Sequence, residues 1–213
     1  MKIKELLVIL YFSSSVCWAQ SETEKLAPSI KSLAVTEKNQ IPSSIFTESL
    51  DWAKDKLSIP SKNMKSADDR VNFLQLVYYE ATRANLDPDL VLSLIQVESN
   101  FKQYAVSSVG AMGYMQIMPF WVKALMGTKD RLSLFDMHTN LRYGCSILSH
   151  YLELENGNWF RALGRYNGSL GKDNYPKAVL AAYKQQSKKT LERQQSISDI
   201  PALMTVSFDG NQM

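Results

Sequence analysis

Apolar residues recur at helical intervals along most of the chain, and no alternating run is long enough to build a sheet. Phe46, Leu50, Ala53 and Leu57 share one face of a short helix that Ile59-Pro60 ends. A longer helix is expected from Asp68 to Asn85, with Val71, Leu74, Tyr78 and Ala81 on one face. Asp87-Pro88 opens the next, the Asp as cap and the Pro at the first helical position, and that helix runs to about Asn100. Further helices are expected from Gln116 to Met126, stopped by Gly127, and from Asn140 to Leu154, ended by Asn156-Gly157. A short one over Asn158 to Tyr166 precedes "NGSLG", and another from Tyr175 to about Lys184 closes the pattern. No internal repeat is visible. The pattern predicts a mainly α domain over residues 66–185. A linker with a short satellite helix (20–65) precedes it, and a polar tail (186–213) follows.

The N-terminus changes the picture of where the chain works. Lys2 and Lys4 precede the apolar run Leu6 to Phe12, and Cys17-Trp18-Ala19 places small residues where a signal peptidase reads them. Residues 1–19 are expected to be a signal peptide cleaved after Ala19, which makes the mature protein periplasmic. The apolar run is too short to span a bilayer, so no stable membrane insertion is expected after processing. Ser14-Ser15-Val16 fits a lipidation signal poorly, and lipid anchoring at Cys17 is not expected. Cleavage removes Cys17 and leaves Cys145 alone, so no internal disulfide can form and the core must supply stability.

Composition adds exclusions. Hydrophobic residues make up 45% and charged residues 21% of the 213, which is ordinary for a globular domain. The net charge of +3 falls to about +2 when Lys2, Lys4 and Glu5 are removed, with no dense basic cluster, so nucleic acid is not an expected partner. His138 and His150 lie far from any ligand spacing and read as surface or capping residues, so neither a metal nor a cofactor is expected. Cys145 reads as a small buried hydrophobe. Trp52, Trp121 and Trp159 read as core, with Trp121 also a candidate to line a groove.

Candidate chemistry centres on "LVLSLIQVESNF", where Glu98 is the one charge. Val91, Leu94 and Ile95 lie seven, four and three residues before it and share its helical face. Burial there disfavours the carboxylate, and the nearby helix C-terminus disfavours it further. A carboxyl kept protonated near neutral pH can give its proton to a leaving group. The bland alternative is a solvated helix-end residue or half of an ion pair, and spacing alone weighs the two about equally. Ser107, Ser108, Gly110, Gly113 and Gln116 follow in a loop whose small side chains, backbone and amide suit the hydroxyls and acetamides of a sugar. An ordinary Gly/Ser turn has the same composition.

Four motifs in order, "ESNF", "AVSSVGAMGYMQIMP", "NLRYGCSILSHYL" and "RYNGSLG", resemble those of the soluble lytic murein transglycosylases of the Slt type, in the lysozyme superfamily. The likeness covers about residues 85–180. It implies a lysozyme-like helical domain with a sugar-binding groove and peptidoglycan glycan strands as partner. It also implies that Glu98 is the catalytic acid and base, that Ser107 sits near the carboxyl and the sugar, that Gln116 and Met118 line the groove, and that Tyr166 and Asn167 face the catalytic site. Tyr166 is expected to hydrogen-bond near Glu98 or the developing charge. Tyr114, Arg165, Gly168 and Ser169 depart from the common pattern and bear on subsite shape. The activity implied is cleavage between N-acetylmuramic acid and N-acetylglucosamine with formation of a 1,6-anhydro end. Asp130, Asp136, Glu153 and Glu155 lie outside the motifs and read as solvated or capping. A hydrolase of the same fold and an inactive glycan-binding protein of a secretion assembly are the alternatives. A secretion or wall-machinery partner stays open.

Overall fold

The computed structural model describes residues 41–127 and 130–188, with Pro28 and Lys31. The expected signal segment, Cys17 and most of the polar tail lie outside the described residues. Seven helices are described: α1 (Ser43–Lys56), α2 (Ala67–Arg83), α3 (Pro88–Ser99), α4 (Phe120–Met126), α5 (Met137–Leu154), α6 (Trp159–Tyr166) and α7 (residues 174–188). No strand occurs among the described residues; two isolated bridges, Val106 to Met112 and Met112 to Ile117, fold the loop after α3. The mainly α architecture is as the periodicity predicts.

Side-chain caps fix most helix starts. Ser66 accepts from the Asp69 N–H, Asp87 from Asp89 and Asn158 from Arg161. Asp136 accepts from the Thr139 N–H at 2.8 Å, so α5 begins at Met137 rather than at Asn140. The helix expected from Gln116 starts only at Phe120. Gln116 sits at φ +49°, and Ile117 pairs with Met112 in both directions at 2.9 Å, which commits that backbone to the loop.

α1 is no satellite. Ala53 is fully buried in the common core, and the Lys56 ammonium, 3% exposed, lies 2.9 Å from Asp89 at the start of α3. That pair ties α1 to the helix that carries Glu98.

The core gathers around α5, which is buried continuously from Asn140 to Leu148. Two of its residues hold the loop between α3 and α4. The Asn140 side chain accepts from the Met115 N–H at 2.8 Å and donates to the carbonyls of Met112 (3.0 Å) and Leu134 (2.8 Å). It thereby satisfies backbone groups that would otherwise be buried without partners. One turn on, Gly144 lets Met115 lie directly on the helix: a Cβ there would meet the Met115 sulfur at 2.2 Å and its Cβ at 2.8 Å. Gly113 is constrained likewise, at φ +79° and with Asn140 Nδ2 2.2 Å from where its Cβ would be.

A buried ion cluster joins α2 to α5. Glu80 is fully buried and is held by Arg83 at 2.7 Å and Arg142 at 3.0 Å. His138 stands 3.4 Å from the same carboxylate, so it turns inward rather than serving the surface. Burial, with Arg142, holds its pKa below the usual histidine range. His150 is also partly buried, with its pKa lowered by burial. Trp121 is 5% exposed and packs in the core. Cys145 is fully buried, and burial raises its thiol far above the reactive range.

Gly144→Ala is therefore expected to destabilise the fold by about 1–3 kcal/mol through overpacking against Met115. Cys145→Ala should cost on the order of 1 kcal/mol and leave the specific activity of folded protein unchanged. Denaturant unfolding of both variants, with turnover of the second, checks these outcomes.

Candidate active site

Glu98 is the penultimate residue of α3. Val91, Leu94 and Ile95 on its face are fully buried, as the spacing predicts. The helix leaves through two left-handed residues, Asn100 at φ +49° and Phe101 at φ +64°, neither of them glycine. Phe101 is held there by burial, edge-on to Phe73 with centroids 6.2 Å apart. The chain is thus turned sharply just past the carboxylate, and Phe101 seals the helix end against the core.

The carboxyl is partly buried and accepts a hydrogen bond of 2.5 Å from the Tyr175 hydroxyl at the start of α7. Burial pushes its pKa from 4.5 up to about 7, and only the Tyr175 hydrogen bond pulls the other way. The carboxyl therefore keeps its proton to higher pH than an ordinary glutamate.

Tyr166, at the end of α6, shares this neighbourhood. Burial first, and then the nearby Glu98 charge, keep its phenol protonated. Its hydroxyl donates to the Met115 carbonyl at 2.8 Å and not to Glu98. At the carboxyl itself the hydrogen bond comes from Tyr175. Sequence reading missed Tyr175 as a site residue. It lies 77 positions from Glu98, and helical periodicity marks only that it begins a helix.

The loop residues brace one another. Ser107 Oγ accepts from the Ala111 N–H at 3.0 Å, and the two residues also pair through the Ser107 N–H and the Ala111 carbonyl. Gln116 turns its amide NH₂ onto the carbonyls of Ala105 (3.2 Å) and Gly113 (3.0 Å). Its donors are spent on the loop, and its carbonyl oxygen makes no hydrogen bond among the described residues. Met118 is partly buried against the core. Asn167 caps the C-terminus of α6 through its backbone N–H, with an exposed side chain. The structure thus brings Glu98, Tyr166 and Tyr175 together and adjoins Met115 to them. It joins Ser107 to Gln116 through the loop, and it shows no hydrogen bond from Ser107 to Glu98.

The remaining carboxylates are accounted for. Asp130 accepts from the Leu132 N–H, Asp136 caps α5, and Glu153 is exposed. Glu155 departs from expectation: it is largely buried and grips Arg161 and Arg165, which hold its pKa below the usual range. Glu80, unforeseen as a buried acid, has its oxygens taken by the two arginines. None of them joins Glu98.

Comparison with known proteins finds similarity to lytic transglycosylases. Membrane-bound lytic murein transglycosylase C of Mannheimia succiniciproducens is 36% identical over 83 residues, covering 36% of this chain and 23% of the relative. The protein of that name from Photorhabdus laumondii is 28% identical over 134 residues (56% and 36%). The one from Yersinia pestis is 33% identical over 113 (46% and 32%). The chain spans about a quarter to a third of the length of these relatives. These relatives are named as membrane-bound; the expectation against a lipid on Cys17, which lies outside the described residues, is not borne out. An inactive mutant of lytic transglycosylase Slt from Pseudomonas aeruginosa superposes with a TM-score of 0.48 at 24% identity, covering 54% of this chain and 24% of that one. A family model described as the transglycosylase SLT domain matches residues 75–191, more than half of the chain and the whole of the site. The chain belongs to the transglycosylase SLT domain family.

Proposed function

We propose that the chain is a peptidoglycan lytic transglycosylase with Glu98 as its acid and base. The carrying observation is a single carboxyl, raised to about 7 by burial, on which no other carboxylate among the described residues acts. A two-carboxylate glycosidase needs a partner acid about 5–9.5 Å away. The mechanism that fits one carboxyl is internal. Glu98 gives its proton to the oxygen linking N-acetylmuramic acid to N-acetylglucosamine as the C1–O bond breaks. The muramic acetamide oxygen bonds to C1 and spreads the positive charge. Glu98, now a carboxylate, takes the proton of the sugar's 6-hydroxyl, O6 displaces the acetamide from C1, and the 1,6-anhydro ring closes. No water is consumed, and Glu98 ends protonated as it began.

The other residues support these steps. Tyr175 holds one carboxyl oxygen and stabilises the ionised form between the two proton transfers. Tyr166, its proton committed to Met115, can accept from the sugar. Ser107, Gln116, Met118 and Asn167 are proposed as the groove-side contacts, with the Gln116 carbonyl oxygen as an acceptor for a sugar hydroxyl or acetamide N–H.

We also propose export to the periplasm through residues 1–19. Among the described residues no helix is long and apolar enough to cross a membrane. Cys17, outside the described residues, is the position at which a lipid could be attached. Intact mass of the exported protein decides: a start at Gln20 supports the soluble form, and a lipid on Cys17 supports an anchored one.

Glu98→Gln should fold and lose activity by ~10²–10⁴-fold or more, because one group serves both proton transfers. Mass spectrometry of products from isolated sacculi should show ends one water lighter than reducing ends. Free reducing ends would establish a hydrolase in its place. Because Glu98 acts first as an acid, kcat/KM should fall as pH rises through about 7. Tyr175→Phe removes the hydrogen bond that favours the carboxylate, so that limb should move up by about one pH unit. A pH–rate series on both proteins measures the displacement.

A further inference from the structure

α7 is tied to α3 at three places, and only one of them is at the carboxyl. Tyr175 meets Glu98 near the C-terminus of α3. Tyr183 donates at 2.8 Å to Asp87, the cap at the other end of α3, about 18 Å away for twelve residues of helix. Gln186, 4% exposed, donates at 2.8 Å to Gln96, two residues before Glu98.

We propose that Tyr183 and Gln186 are positioning residues that fix the register of α7 on α3 and so keep the Tyr175 hydroxyl on Glu98. This rests on the reading of Glu98 as the acid. The apolar contacts of α7, through Val179 and Ala182, hold it to the core but are non-directional and tolerate a small slide or rotation. Hydrogen bonds do not: a displacement of about 1 Å takes a bond of this kind outside useful geometry. A rigid helix pinned at Tyr183 and Gln186 has its first turn fixed as well, and Tyr175 lies in that turn. Asp87 keeps its capping bond to the Asp89 N–H through its other oxygen, so the Tyr183 contact is additional to the cap. Its ionisation raised to about 12 by Asp87 and burial, Tyr183 stays a donor across the working range.

The groups facing Glu98 are Tyr175 from α7 and Tyr166 from α6, with Cys145 of α5 behind Tyr166. All three stay neutral through neutral pH, because burial raises each of their pKa values. Glu98 is therefore the group whose titration reports a loosened α7.

The test uses the full chain with Tyr183→Phe and Gln186→Met, each alone and combined with Tyr175→Phe. Two readouts are taken: the alkaline limb of kcat/KM on peptidoglycan, and the Glu98 carboxyl titration by ¹³C NMR, assigned with Glu98→Gln. Each single variant should move both midpoints upward by about half a unit, part of what a lost hydrogen bond to a charged group gives. Neither should add a shift in the Tyr175→Phe background. A wild-type carboxyl midpoint in folded Tyr183→Phe and Gln186→Met overturns the proposal, as does a shift that persists without the Tyr175 hydroxyl. If the carboxyl midpoint moves while the rate limb stays, the positioning role stands and the assignment of Glu98 as the acid fails.

Discussion

Partial burial of the Glu98 carboxyl constrains the parts of the molecule around it. α3 must be apolar through Val91, Leu94 and Ile95 to bury that face, and the chain must turn away at once through Asn100 and Phe101. The carboxyl then needs a partner that limits the desolvation cost without fixing its charge, and the neutral Tyr175 hydroxyl does this where a cation would not. The arrangement works against the fold. The carboxyl pKa is raised above its ordinary value, so the stability it contributes is fully present below about 4.5 and is lost as pH rises through about 7. The continuous burial of α5, and its hold on the loop through Asn140 and Gly144, supply what offsets this.

Glu80 makes the contrast plain. It is more deeply buried than Glu98, yet Arg83 and Arg142 reach its oxygens, and its environment is that of a structural ion cluster. Glu98 has a phenol in place of guanidinium groups. Depth of burial alone thus does not distinguish the two carboxyls; their partners do. Glu155 is likewise held by guanidinium groups, those of Arg161 and Arg165.

Much of this was legible in the chain. Helical periodicity placed α2, α3, α6 and the start of α7, because those segments obey local rules of capping and amphipathicity. It marked the Glu98 face as buried, because three apolar residues at the right spacing leave a carboxyl little water. It failed where a distant partner overrides local preference. Gln116 to Pro119 reads as helix but is held in the loop by Met112 and Asn140. α1 reads as a satellite, since neither the Lys56 contact with Asp89 nor the burial of Ala53 has a local signature. Tyr175 escaped because a hydroxyl brought in from 77 residues away leaves no periodic trace. The inward turn of His138 escaped because Glu80 gives no sign in the sequence of being buried.

The central claim is that the fold keeps a proton on Glu98 near neutral pH. A ¹³C NMR titration of the Glu98 carboxyl in the folded wild-type chain measures it without reference to turnover. A midpoint near 7 is the outcome this structure predicts. A midpoint at the ordinary glutamate value near 4.5 would mean a solvated carboxylate and would contradict the account.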